Sequence, residues 1–134
     1  MSNLLDAFGM SPELEENGVW VQITDNIRVK VRSFSSKEYA KIIKKLRDPY
    51  TSQYRNNTIN PDVDQKLTMR AISKGILIDW QGVEDPDTGK TLKYSPEAAY
   101  KLLMDDRLKS FMKVIVELGS TQATFKKNIY RESE

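Results

Sequence analysis

At 134 residues with a formal net charge of +2, the chain is long enough for one domain with its own core, and too evenly charged for composition alone to indicate a phosphate-binding surface. It contains no cysteine and no histidine, which removes disulfides, thiolate nucleophiles, Ser-His-Asp and Cys-His catalysis and histidine-ligated zinc. That inventory points to a binding protein rather than an enzyme, with no cofactor and no metal, and no apolar run reaches the roughly 18 residues that span a membrane.

Residues 1–17 read as a loosely attached, flexible arm. Leu4, Leu5 and Phe8 are its apolar residues besides Met10, and they are candidates for packing on a partner or a neighbouring subunit. Residues 18–34 carry the β signal. Val19, Val21 and Ile23 alternate with Trp20 and Gln22, and Ile27, Val29 and Val31 alternate with Arg28, Lys30 and Arg32. Thr24-Asp25-Asn26 is turn chemistry between them, so the pattern predicts an antiparallel hairpin with one apolar and one basic face. The basic face is read as solvated strand surface, not as a nucleic-acid site.

Ser35 followed by Glu38 predicts a capping box opening a helix over 36–47, with Tyr39, Ile42, Ile43 and Leu46 inward and the lysines outward. Residues 48–60 predict an exposed connection. Asn60-Pro61 opens a second helix predicted to run to Ile78, in which Gly75 permits close helix packing or a bend. Ile76-Leu77-Ile78-Asp79-Trp80-Gln81-Gly82-Val83 then reads as an apolar helix end with Trp80 as its anchor.

Pro86-Asp87-Thr88-Gly89 is a turn. Ser95 and Pro96 form an N-cap and first helical residue for a helix over 96–104. A further helix over 107–118 puts Leu108, Phe111, Met112, Ile115 and Leu118 inward, and Gly119-Ser120 is expected to end it. In the last segment Phe125 and Ile129 fall at i and i+4. They serve either as a partner contact or as home packing.

Two tempting sites fail on spacing. Gly89-Lys90-Thr91 resembles the end of a phosphate-binding loop, but Glu84 stands where that loop requires glycine. Asp85, Asp87 and Gly89 echo a calcium loop, but Pro96 stands where the closing bidentate glutamate belongs.

These elements predict a mainly helical α+β domain over 18–120 with one N-terminal antiparallel β-hairpin, followed by an amphipathic helical tail over 121–134. Three motifs go further: Gly18-Val19-Trp20-Val21, Asp79-Trp80-Gln81-Gly82-Val83 and Tyr94-Ser95-Pro96-Glu97. Their order resembles the tail assembly chaperones of long-tailed, siphovirus-type bacteriophages, with Trp20, Trp80, Gly82, Tyr94, Ser95 and Pro96 as the structural motif residues. The resemblance implies a protein of the host bacterial cytoplasm, absent from the mature virion. It would bind the tape measure protein, keep it soluble and help recruit tail tube subunits, in some relatives through a longer frameshifted form. Self-association would suit that role. The alternatives are a tail completion or connector protein and a small nucleic-acid-binding adaptor.

Overall fold

Ten regular elements follow one another in the computed structural model, which describes residues 3–126. They are α1 (Asn3–Phe8), α2 (Pro12–Asn17), β1 (Val19–Gln22), β2 (Arg28–Val31), α3 (Lys37–Arg47), α4 (Thr51–Arg55), α5 (Pro61–Gly75), β3 (Leu77–Gln81), α6 (Pro96–Met104) and α7 (Lys109–Ser120). Short 3-10 turns occupy Asp48–Tyr50, Asp106–Leu108 and Gln122–Phe125.

The hairpin forms as its alternation dictates, with Val19 opposite Val31 and Val21 opposite Val29. It does not stand alone. β3 adds to β2 to make an antiparallel sheet in the order β1-β2-β3, which corrects the expectation of an N-terminal hairpin as the only β structure. The fold is α+β, a three-stranded sheet packed against helices.

The predicted second helix stops at Gly75, and the apolar run after it is strand. A run this short satisfies a helical stripe and a buried strand equally well, so its periodicity does not decide. What decides is tertiary. Val29 and Val31 are fully buried, and β2 needs a hydrogen-bonding neighbour on its second edge. Trp80 faces Val29 and Leu77 faces Val31, with an irregularity at Ile78 between them.

The helices cover the inner face of the sheet. Ile72, Ile76, Ala99, Leu102, Leu103, Ile115 and Phe125 join the strand valines, Leu77 and Trp80 in one core. A buried aliphatic of this size contributes about 1.5–3 kcal/mol by leaving water. α5 lies against α3 and α6. Gly75 permits the first contact, since a Cβ there would sit 3.0 Å from Ile42 Cδ1 and 3.2 Å from Tyr39 Cδ1.

Other boundaries shift by local chemistry. Ser36, not Ser35, caps α3, because its Oγ accepts from Tyr39 N at 3.2 Å. The 48–60 connection is partly helical: Tyr54 of α4 donates its hydroxyl to Asp64 at 2.7 Å, and Arg47 lies over its ring. α7 ends at Gly119-Ser120, as expected, with Gly119 against the Phe34 ring and Phe34 N donating to its carbonyl at 3.0 Å.

Candidate functional site: an apolar groove at the head of α7

Two arrangements fix the segment that leads from the sheet to α6. Trp80 Nε1 donates to the Leu92 carbonyl at 2.7 Å, and the Trp80 and Tyr94 rings meet edge to face at 5.1 Å. The Tyr94 hydroxyl is shared between the carbonyls of Ser73 and Leu77, each 2.8 Å away, and so ties the end of α5 to the start of β3. Ser95 Oγ accepts from Ala98 N at 3.0 Å and Pro96 begins α6, as their types predict.

Burial pushes the Tyr94 phenol up to about 12, with the charge of Asp79 adding to the effect and Arg32 opposing it. A raised folded-state value means the contribution is full below the unfolded value of 10 and is lost as pH climbs through about 12. Chemical melts across that window are expected to show the parent losing stability faster than Tyr94→Phe. Equal slopes would contradict the assignment.

Gly82 closes β3 with φ +79°, and an added Cβ would collide with the Asn26 carbonyl oxygen in the β1–β2 turn. Left-handed backbone costs a side chain about 1–2 kcal/mol before any clash. Gly82→Ala is therefore expected to lower stability by about 2 kcal/mol or more, read as a shifted urea midpoint; an unchanged midpoint would show that the turn yields freely.

The loop after Gly82 folds on itself. Asp85 Oδ1 accepts from Asp87 N at 2.8 Å and Thr88 N at 3.1 Å, and Leu92 N donates to the Val83 carbonyl. The Asp85 carboxylate thus serves its own turn, and among the described residues no cluster of three acidic side chains is placed to hold a metal. Gly89 and Lys90 lie in this turn, without the following helix that a phosphate loop requires. Arg107 reaches across to Asp87 at 3.0 Å and pairs with Asp105 at 2.7 Å. Hydrogen bonds from Arg107 hold the half-buried Asp105 carboxyl down at about 2. Exposed pairs contribute little stability, so the main effect of Arg107 is positional. It fixes the loop against the α6–α7 junction.

That loop forms one wall of a groove of about 360 Å³. Val83 and Pro86 line this wall, Ile23 and Ile27 at the hairpin tip line the second, and Leu102, Leu108, Phe111 and Val114 form the floor and third wall. Thr24, Glu84 and Ser110 are the polar residues at its surface. The groove has no catalytic constellation. It offers a preformed apolar slot of a size that takes a few side chains from a partner.

The sequence points to Leu108 and Phe111 only as core. Both are half-buried and face the core and the groove together. The available signal was a surplus. α7 and its lead-in carry Leu108, Phe111, Met112, Val114, Ile115, Val116 and Leu118, more apolar residues than one face can bury, and only Ile115 and Gly119 of α7 are buried.

The expected partner residues separate. Leu4, Leu5 and Phe8 are exposed at 74%, 71% and 69% on α1. Phe125 is 0% exposed and belongs to the core, so home packing is the outcome there and it presents nothing to a partner. Ile129 lies outside the described residues.

The basic strand face is smaller than its pattern implies. Arg32 Nε donates to the Glu16 carbonyl at 2.7 Å and an Arg32 amine to the Gly75 carbonyl at 3.2 Å, which makes it a brace. Lys30 stands opposite Asp79. Trp20 lies on this outer face, half-buried, with the Arg28 guanidinium 5.0 Å from its ring.

A family model, that of the YdaY prophage protein, matches residues 34–134. The chain belongs to the YdaY prophage protein family. Within the YdaY match lie α3 to α7, the 83–92 loop and two of the three groove walls, while the hairpin tip precedes it. No curated protein and no solved structure matches this YdaY family member.

Proposed function

We propose that this prophage protein is a tail assembly chaperone that binds the tape measure protein and works by binding, without catalysis or a cofactor. The observation that carries the reading is the preformed apolar groove at the head of α7, supported by the prophage family and by the three motifs. A tape measure protein is long, helical and apolar in places, and it aggregates unless covered before the tube closes. An apolar helix face laid into a groove is a recurring mode of recognition, and repeated weak sites along a rod add up through avidity. On this reading the protein acts in the host cytoplasm, helps recruit tail tube subunits, and leaves before the virion is complete.

The test is binding of labelled tape measure fragments to the parent and to Ser110→Arg. Ser110 is exposed on the groove wall, so arginine there fills the slot without disturbing the core. The expected result is a loss of affinity of about tenfold or more, corresponding to about 1.4 kcal/mol. Equal affinity would remove the groove from the contact. Mass spectrometry of purified virions separates this role from that of a tail completion or connector protein, which would stay in the particle.

A further inference from the structure

α7 carries an apolar strip that outruns the groove. Phe111 and Val114 line the groove, and Val114, Leu118, Thr121 and Thr124 line a second shallow hollow toward the helix C-terminus. Val114 belongs to both and sits at the middle of the helix, which spans Lys109–Ser120. The exposed arm is moored at the far end of the same helix. Gln122 Nε2 donates to the Ala7 carbonyl at 2.8 Å, Lys126 Nζ to the Asp6 carbonyl at 2.9 Å, and Ser11 N to the Phe125 carbonyl. The chain therefore holds an apolar groove at the head of α7 and an apolar arm at its foot.

We infer that two copies of this chain pair through antiparallel α7 helices about a two-fold axis at Val114, each laying Leu4 and Phe8 of its arm over the groove of the other. A two-fold contact uses one patch twice, so it needs a surface that complements itself. The head-and-foot arrangement supplies that in apolar terms, and the charges supply it again. Exposed Lys109 and Lys113 lie in the first half of α7, exposed Glu117 in the second, and exposed Asp6 on the arm beyond it. Among the described residues none of these four side chains forms an ion pair. Antiparallel pairing centred on Val114 sets Glu117 opposite position 111 of the second copy, between its two lysines, and carries Asp6 toward the head of that helix. Parallel pairing would set like charges together. The arm of the second copy and a tape measure helix would compete for the groove, so the pairing is read on the chain alone, without tape measure protein.

The chain has no cysteine, so single-cysteine variants report on the axis without background. Under mild oxidation Val114→Cys is expected to form a disulfide-linked dimer, and Ser52→Cys, on the distant α4, to stay monomeric. Sedimentation of the parent is expected to show a dimer that Leu4→Ser/Phe8→Ser weakens at least tenfold. Glu117→Lys is expected to dissociate it, and Lys109→Glu/Lys113→Glu added to that variant to restore it, a recovery that unfolding cannot mimic. A monomeric parent at the highest soluble concentration would overturn the inference. So would a dimer whose Val114→Cys form does not crosslink, or one indifferent to charge reversal.

Discussion

Trp80→Ala is expected to cost about 3–5 kcal/mol, the range for removing a large buried aromatic. Trp80 is 5% exposed, faces Val29 across the sheet, stacks edge to face on Tyr94 and holds the Leu92 carbonyl through its indole N–H. Alanine leaves a cavity between sheet and loop and strands that carbonyl. Because Leu92 and Val83 are hydrogen-bonded neighbours, the loss propagates to the groove wall formed by Val83 and Pro86. Urea midpoints of parent and variant check the stability. Midpoints agreeing within error would mean that Trp80 does not anchor the loop.

Phe125→Ala is expected to fall in the same range, about 3–5 kcal/mol. The ring is fully buried in the core, on a 3-10 turn after α7, and the Phe125 carbonyl accepts from Ser11 N at 2.9 Å. The substitution should therefore loosen the mooring of the arm along with the core. Hydrogen exchange is expected to show faster exchange at Ser11 and Leu14 in the variant. A thermal melt matching the parent would show that the ring contributes no more than an exposed side chain.

The contrast between Phe125 and Phe111 shows what a sequence can and cannot reveal here. Phe125 looks isolated because its neighbours in sequence are Lys126, Lys127 and Gln122, yet the turn folds it under α2 and into a core assembled from distant segments. Phe111 looks like core because it falls on the apolar stripe of a helix, yet that stripe is wider than the surface available to cover it. Periodicity reports which residues share a face and does not report how much of that face another element reaches.

Most local signals were legible where one short-range interaction decides, although the cap of α3 falls on Ser36 and not on Ser35. Val19 to Val31 alternates and pairs as an antiparallel hairpin, Asn60 and Ser95 cap the helices they precede, and Pro61 and Pro96 take first helical positions. The strand at Leu77–Gln81 was not legible, because five residues are too few for period to speak and the deciding partner, β2, lies over forty positions earlier. The helical turn at Thr51–Arg55 was hidden for a similar reason: Tyr54 is held by Asp64 and Arg47, neither of them adjacent in sequence.

The groove depends on these illegible features. Its walls come from the tip of the hairpin, the loop after β3 and the head of α7, and the loop is fixed by Arg107 reaching Asp87 twenty positions away. The motif residues Trp80, Gly82 and Tyr94 set the position of that loop and with it one wall of the groove. Trp20 stands apart on the outer sheet face, and nothing in the groove depends on it.

The most direct measurement of the chaperone claim is the soluble fraction of the tape measure protein of the same prophage when it is co-expressed with this chain. The tape measure protein is expected to stay soluble with the parent and to precipitate both alone and with Ser110→Arg, a variant whose own melt matches the parent. A tape measure protein that precipitates equally with the parent, or one that Ser110→Arg keeps soluble just as well, would contradict it.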